Sequence, residues 1–333
     1  MIGVASGECG DEAPSCEVTC PSRDEGTRVS LHIRDYQDAD LDWLVALRYR
    51  WYPEILPEAE LRKVLAEPVP SGAVRLVAEL DGVPVGCAAV IPPTYDEGSD
   101  GVLVLVEESH RGRGVGSLLF QALEPHLGVR GLPGMRAVPE RDGDPSVDIA
   151  GHWGFRVHER AVASRLVLAE PTPPAAPVGV SSRVVDDADL TALLPDVDAL
   201  IDASNTSPER AAGFIVTHEQ LSDWWPGLVW VVVSVLSEPV ALACACPHDG
   251  DTWHVIYTGV LPDHRGRGLA RLAKQHLHAE VARRGGREVW TENETGNAGI
   301  LALNESFGYQ PFRTELRLRR EPGPRASHPP WRL

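Results

Sequence analysis

One five-residue string occurs twice. His110-Arg-Gly-Arg-Gly114 recurs as His264-Arg-Gly-Arg-Gly268, displaced by 154 residues. Gly154-Phe155 recurs as Gly308-Tyr309 at the same displacement, and Asp38-Ala-Asp-Leu41 recurs as Asp187-Ala-Asp-Leu190. Val85-Gly-Cys-Ala-Ala also has a loose copy, Val240-Ala-Leu-Ala-Cys. Landmarks repeating in one order mark a duplicated unit. A chain of 333 residues is long enough for two such units. They span 29–169 and 183–320. Residues 1–28 read as a polar, acidic leader without fixed structure. Residues 170–182 read as a proline-rich linker, and 321–333 as a tail.

Both units carry the same succession of patterns. A short strand (Leu31–Arg34; Ser182–Val185) precedes a helix that opens near the Asp-Ala-Asp-Leu segment, where aspartate suits an N-cap. Apolar hairpins follow: Val74–Leu80 with Val83–Ile91, turning at Asp81-Gly82, and Val229–Leu236 with Pro239–Cys246. Then come a strand (Gly101–Val106; Trp253–Val260), the glycine-arginine loop and an amphipathic helix, Leu269–Arg283 in the second unit. The second unit closes with a strand at Glu288–Glu292, a short helix and a last strand at Phe312–Leu318. The fold class is therefore α/β: two tandem domains, each a twisted, mostly antiparallel sheet flanked by helices.

Strand, glycine-rich loop and helix in that order make an anion site. Glycines let the backbone turn tightly and approach a ligand. The helix then offers free N–H groups and a positive dipole end to phosphate. The order of the glycines departs from the dinucleotide fingerprint, and no lysine-serine or lysine-threonine follows, so the P-loop is excluded.

Arg-x-x-Gly-x-Gly/Ala between a strand and a helix resembles the acetyl-CoA loop of the GCN5-related N-acetyltransferase (GNAT) family. Arg111, Gly114 and Gly116 fill the pattern in the first unit; Arg265, Gly268 and Ala270 fill it in the second. Thr291-Glu-Asn293, Asn297, Asn304 and Gly308-Tyr309 are similar to the tandem branch that includes mycothiol synthase-like proteins. The resemblance implies an acyltransferase with acetyl-CoA as its cofactor. It also implies coenzyme contacts at Gly259, Val260, Leu261, Arg265, Gly266, Arg267, Gly268, Leu269, Ala270 and Asn297. The first unit would match them with Val104, Leu105, Val106, Arg111, Gly112, Arg113, Gly114, Val115 and Gly116.

Catalysis by this route needs an acceptor amine stripped of a proton and held near the thioester. The resemblance places a base at His254 in the second unit and at Asp100 in the first. Glu292, at the end of the next strand, is another candidate. Asn304 and Ala150 stand where many members carry a tyrosine acid; an amide hydrogen-bonds but does not titrate. The second unit is thus expected to be catalytic, with His254, Glu292 and Asn304 as its candidate residues. The first is expected to bind coenzyme or to support the fold.

The acceptor is a small-molecule amine in this reading. A peptide or protein acceptor, a longer acyl donor and a non-catalytic acetyl-CoA sensor are the alternatives. The resemblance implies an acceptor pocket near Asp202-Ala-Ser-Asn-Thr206 and Trp224-Trp225; paired indoles there either stack on a substrate or pack in the core. The chain has 31 basic and 48 acidic residues, a formal charge of −17. That balance argues against nucleic acid and anionic membranes as partners and suits a cationic acceptor. No apolar run reaches the roughly 18 residues of a spanning helix. No secretion signal is read, so a cytoplasmic location is expected. Cys87, Cys244 and Cys246 lie in apolar runs and read as buried thiols. His248 near Cys244 and Cys246 makes too few ligands for zinc, so no metal is expected.

Overall fold

The computed structural model describes residues 16–19, 30–51, 58–69, 71–92, 99–129, 131–141, 143–169, 175–205 and 217–322. By contact these fall into two compact units. One holds the residues up to Pro92 together with Val102–Val129; the other holds 99–101 and 131–322.

In the first unit, β1 (Cys16–Thr19), β2 (Ser30–Asp35), β3 (Val74–Leu80) and β4 (Val83–Ile91) pair antiparallel in that order. Part of the segment read as an unstructured leader therefore forms a strand; its other residues lie outside the described ones. The β3–β4 turn follows its sequence: Asp81 and Gly82 have φ of 51° and 78°. Positive φ at both central residues makes a type I′ hairpin. Helices α1 (Leu41–Trp51) and α2 (Glu58–Ala66) bury Leu44, Val45, Leu47, Leu61 and Leu65 with Cys87 and Leu105. Asp40 is not an N-cap. It sits at the third helical position, bonds the Gln37 N–H, and takes the Arg34 guanidinium at 2.7 Å. The strand β5 (Asp100–Val106) leads through the first glycine-arginine loop into α3 (Val115–Leu123).

The second unit contains β6 (Gly134–Pro139), α4 (Ser146–His152) and β7 (Arg156–Val167) from the first repeat. From the second repeat come β8 (Val180–Asp186), α5 (Asp187–Leu193), α6 (Val197–Ser204), α7 (His218–Trp224), β9 (Val229–Val235), β10 (Glu238–Asp249) and β11 (Thr252–Val260). The chain continues with α8 (Leu269–Arg283), β12 (Glu288–Glu294), α9 (Ala298–Phe307) and β13 (Gln310–Arg320). β8 begins inside the segment read as linker.

The strand order here is β6-β13-β7-β12-β11-β10-β9-β8. β7 lies antiparallel between β12 and β13, with Glu292 opposite Ala163 on one side and Glu315 opposite Ala161 on the other. The contact boundary thus cuts through the first repeat instead of falling at the linker. The second repeat's sheet is completed by a strand from the first.

The β9 run is buried on both faces, which explains its nearly uninterrupted apolar sequence. Val229, Val231 and Val233 pack under Leu272, Leu277 and Val281 of α8. Trp230 and Val232 pack with Leu190, Leu200 and Ile201 of α5 and α6. In the second repeat the aspartate landmark is an anchor too: Asp187 Oδ1 accepts the Trp230 indole N–H at 2.8 Å.

Candidate active site

The site begins with a failure of strand pairing. β11 runs parallel to β12 for three residues only: Thr252, Trp253 and His254 sit opposite Glu288, Val289 and Trp290. On its other edge Val255 faces Ala245 and Tyr257 faces Cys244, so Ile256 is an extra residue, a β-bulge. A bulge bends its strand and re-aims the next side chain. Splay and bulge coincide, leaving Tyr257 to Val260 with an edge turned away from β12. That edge lines a groove of about 480 Å³. Asn297, Ile300 and Leu303 at the start of α9 form another wall, and the second glycine-arginine loop a third.

The loop is built to expose its amides. Gly266 and Gly268 have φ of 73° and 77°, a region L side chains rarely adopt. The first helical amide to turn inward is that of Leu272, which donates to Gly268 at 3.0 Å. Among the described residues, the amides from Gly266 to Arg271 donate to no backbone carbonyl. Six N–H groups at the positive end of the 15-residue α8 are the donors a pyrophosphate accepts. No Cβ stands over Gly266 or Gly268, and one added there would meet open space. The residues present therefore fit a phosphorylated coenzyme.

Arg265 does not point outward as a bare surface cation. Its Nε donates to Val260 O at 3.1 Å and its Nη2 to Ser204 O at 3.2 Å. It braces the loop against β11 and the end of α6. The first repeat copies the first half of this: Arg111 Nε donates to Val106 O at 3.3 Å, and Gly112 and Gly114 have φ of 71° and 82°. Its second partner differs, since the guanidinium lies 4.2 Å from the Trp51 ring centroid.

Of the expected coenzyme contacts in the second repeat, Gly259, Val260, Arg265, Gly266, Gly268, Leu269, Ala270 and Asn297 line the groove. Leu261 packs partly buried against the core instead, and Arg267 is an exposed loop residue. Sequence reasoning missed Tyr257 as a lining residue, and Ser204 and Asn205 of the segment expected at an acceptor pocket line this groove. Alternation alone puts Tyr257 on the face of Gly259, but only the bulge turns its ring into the groove.

The three candidate catalytic side chains lie outside the groove lining. His254 stacks on Trp290, centroids 3.6 Å apart and 6° from parallel, with Trp225 and His248 edge-on. The Trp224 side chain lies outside the described residues. His254 Nδ1 is buried without a hydrogen-bond partner among the described residues. Burial, then the nearby His248 and Arg313, hold its pKa well below the ordinary value, so the ring is neutral at pH 7. Glu292 accepts from Arg313 Nη2 at 2.7 Å and has Arg317 Nη2 at 3.6 Å. Arg317 also reaches Glu159 of β7 and Glu294. Glu292 is therefore committed to a charged network along the sheet.

Asn304 departs furthest from expectation. It is buried, accepts the Lys274 ammonium at 2.6 Å and donates to Asn293 Oδ1 at 2.8 Å. It fastens α8, α9 and β12 to one another. Lys274, one of two lysines in the chain, also lies 4.8 Å from the Tyr309 ring centroid. Burial lowers its pKa to about 7. Next to it, Tyr309 shares a hydrogen bond of 2.9 Å with His278 Nε2.

The remaining sequence landmarks resolve simply. Cys87, Cys244 and Cys246 are buried free thiols, and burial pushes the first and last up to about 12. Cys244 and Cys246 pack into the core, while His248 sits against Trp290. Asp100, the base position of the first repeat, is a buried strand residue opposite Gly134.

The comparisons with known proteins give the same architecture. The "Acetyltransferase (GNAT) family" matches twice, over residues 39–155 and 196–309. The chain belongs to the GNAT family. It is an N-acetyltransferase with two tandem GNAT domains. It is 25% identical over 270 residues to a mycothiol acetyltransferase of Actinosynnema mirum, covering 79% of this chain and 89% of that one. Two solved structures share the fold. A tandem GNAT protein of the clavulanic acid biosynthesis pathway has a TM-score of 0.69 at 19% identity, covering 89% of this chain and all of its own (100%). A GCN5-related N-acetyltransferase of Sphaerobacter thermophilus has a TM-score of 0.67 at 20% identity, covering 88% of this chain and 96% of its own. GNAT enzymes generally take acetyl-CoA as donor. No helix among the described residues is long and apolar enough to cross a membrane.

Proposed function

We propose that the second repeat transfers an acetyl group from acetyl-CoA to the amine of a small molecule, by direct attack with both substrates bound. The observation that carries this reading is the groove between the splayed β11 and α9, ending on the unpaired amides of Gly266 to Arg271.

In this reading the loop amides hold the coenzyme pyrophosphate. The free edge of Gly259 and Val260 orients the pantetheine arm, and Asn297 and Ile300 close its far side. Bound acetyl-CoA supplies the activated carbonyl. Orientation provides much of the rate, because the acceptor amine attacks a carbonyl already fixed in place. The attack forms the amide bond, breaks the thioester and needs a proton removed from the amine. His254 is the first candidate to take that proton; its ring is neutral, and because burial, His248 and Arg313 oppose its protonation, it would hold the proton only transiently, with water linking it to the groove. Glu292 is the second candidate and would need its Arg313 contact loosened. Asn304 is reassigned as a positioning residue. The first repeat keeps the loop and its brace and is proposed as a supporting domain. A cytoplasmic site of action is part of the same reading.

The test is release of CoA from acetyl-CoA against a panel of amines, with product masses recorded. The panel spans amino acids, polyamines, aminoglycosides, amino sugars, N-terminal peptides and, because of the Actinosynnema relative's name, mycothiol-related amines. An acetylated product well above the protein-free rate supports the reading and identifies the acceptor class. Tight acetyl-CoA binding with no product from any amine overturns it in favour of a sensor or a different acyl donor.

A further inference from the structure

We propose that Tyr257, pinned in place by Ser204, is the end wall of the groove and limits the length of the acyl group the enzyme accepts. The inference rests on the groove being an acyl-CoA site.

The groove has a direction. Its phosphate end is the loop from Gly266 to Arg271. From there the lining runs back along β11 through Val260, Gly259 and Thr258 to Tyr257. A coenzyme anchored by its pyrophosphate thus brings its acyl end towards Tyr257.

The tyrosine is held firmly. Its hydroxyl donates to Ile201 O at 3.0 Å and lies 2.6 Å from Ser204 Oγ. Ser204 is itself buried at 4% exposure. Arg265, from the loop, donates to the Ser204 carbonyl and so ties the same turn of α6 to the loop. The ring cannot swing away without breaking two hydrogen bonds, each worth about 0.5–1.5 kcal/mol net. It also leaves no space above the strand: a Cβ on Gly259 would collide with both the Tyr257 hydroxyl and Ser204 Oγ.

The space behind the ring is apolar. Tyr257 and Ile256 pack against the cluster holding Leu200, Ile201, Leu242 and Cys244. With the ring in place, a short acyl group meets its face and a longer chain has nowhere to go. With the ring removed, the groove would open onto aliphatic side chains, which favour a longer chain.

The experiment measures equilibrium affinity for acetyl-CoA, butyryl-CoA and hexanoyl-CoA by calorimetry, and so needs no acceptor. Wild type is expected to bind butyryl-CoA at least about tenfold more weakly than acetyl-CoA, the scale on which pockets discriminate methylenes. Tyr257→Ala should shrink that ratio to about threefold or less, or invert it. Tyr257→Phe, which keeps the ring, should keep the ratio. Equal binding of all three donors by wild type, or an unchanged ratio in Tyr257→Ala, overturns the inference while acetyl-CoA binding still stands. If wild type binds none of the donors, the proposed function itself fails. Should Tyr257→Ala melt below the assay temperature, Tyr257→Leu, which keeps most of the core packing, decides: an unchanged ratio there equally overturns the inference.

Discussion

The Lys274 ammonium donates to Asn304 Oδ1 at 2.6 Å, and no carboxylate among the described residues joins the pair. A cation buried against an amide and a phenol ring is poorly compensated, which is why its pKa falls to about 7. In the unfolded chain it titrates near 10.4. Between those values the unfolded state binds the extra proton, so stability rises with pH, by at most about 1.4 kcal/mol per unit. The contribution is complete above the unfolded value and lost as pH falls to about 7. Urea titrations at pH 7, 8 and 9 should show this slope in wild type and its loss in Lys274→Met. Parallel curves would show that the lysine is not buried as described.

His254 and His278 act in the same direction, in a lower pH window. Both are held below their unfolded pKa by burial, His278 at about 3 with Lys274 as a second cause. Below pH 6.5 the unfolded chain takes up protons that the folded one refuses, so each group's stabilisation is present above pH 6.5 and lost below it. The fall is about 1.4 kcal/mol per pH unit per histidine. The His278→Phe protein should lose stability less steeply between pH 6.5 and 4.5, measured by thermal melts at matched ionic strength.

If His254 takes the acceptor's proton, His254→Gln should lower kcat by about 10²–10⁴-fold with the Kd for acetyl-CoA unchanged. Wild-type kcat/KM should show no histidine limb near pH 6.5, because the ring is already neutral there. Full activity in His254→Gln would pass the role to Glu292.

Gly268 and Gly114 hold the same left-handed conformation, φ 77° and 82°, in equivalent loops. A valine at either place is strained. Only the second loop, in the proposed division of labour, holds the reacting coenzyme. Gly268→Val should abolish turnover and weaken acetyl-CoA binding, while Gly114→Val should retain most of both. The reverse pattern would move catalysis to the first repeat.

The β9–β10 turn supplies a stability test independent of function. Its central residues are Leu236 and Ser237, with φ of 50° and 74°. They hold the conformation that Asp81 and Gly82 adopt in the first hairpin, without the glycine that relieves it. Left-handed geometry costs an L residue about 1–2 kcal/mol. Ser237→Gly should therefore raise stability by up to about 1 kcal/mol, read as a higher Tm, with activity unchanged.

The duplication, the paired loops, the Asp81-Gly82 hairpin and the buried cysteines were all legible in the sequence, because each is a local pattern. A glycine where φ must be positive, or an apolar run the length of a strand, carries its structural reason within a few residues. The groove's phosphate end was legible for the same reason. The rest depended on partners distant in the chain. Nothing local to Arg156–Val167 says that it will lie between β12 and β13. Nothing local to Ile256 says that it will be the unpaired residue that turns Tyr257 inward. Lys274 reads as an ordinary helix cation until α9 and Tyr309 close over it. Glu292 reads as a free carboxylate until Arg313 and Arg317 arrive on β13. Local conformation is set by neighbours along the chain; strand order, burial and the charge a side chain can hold are set by what folding brings against it.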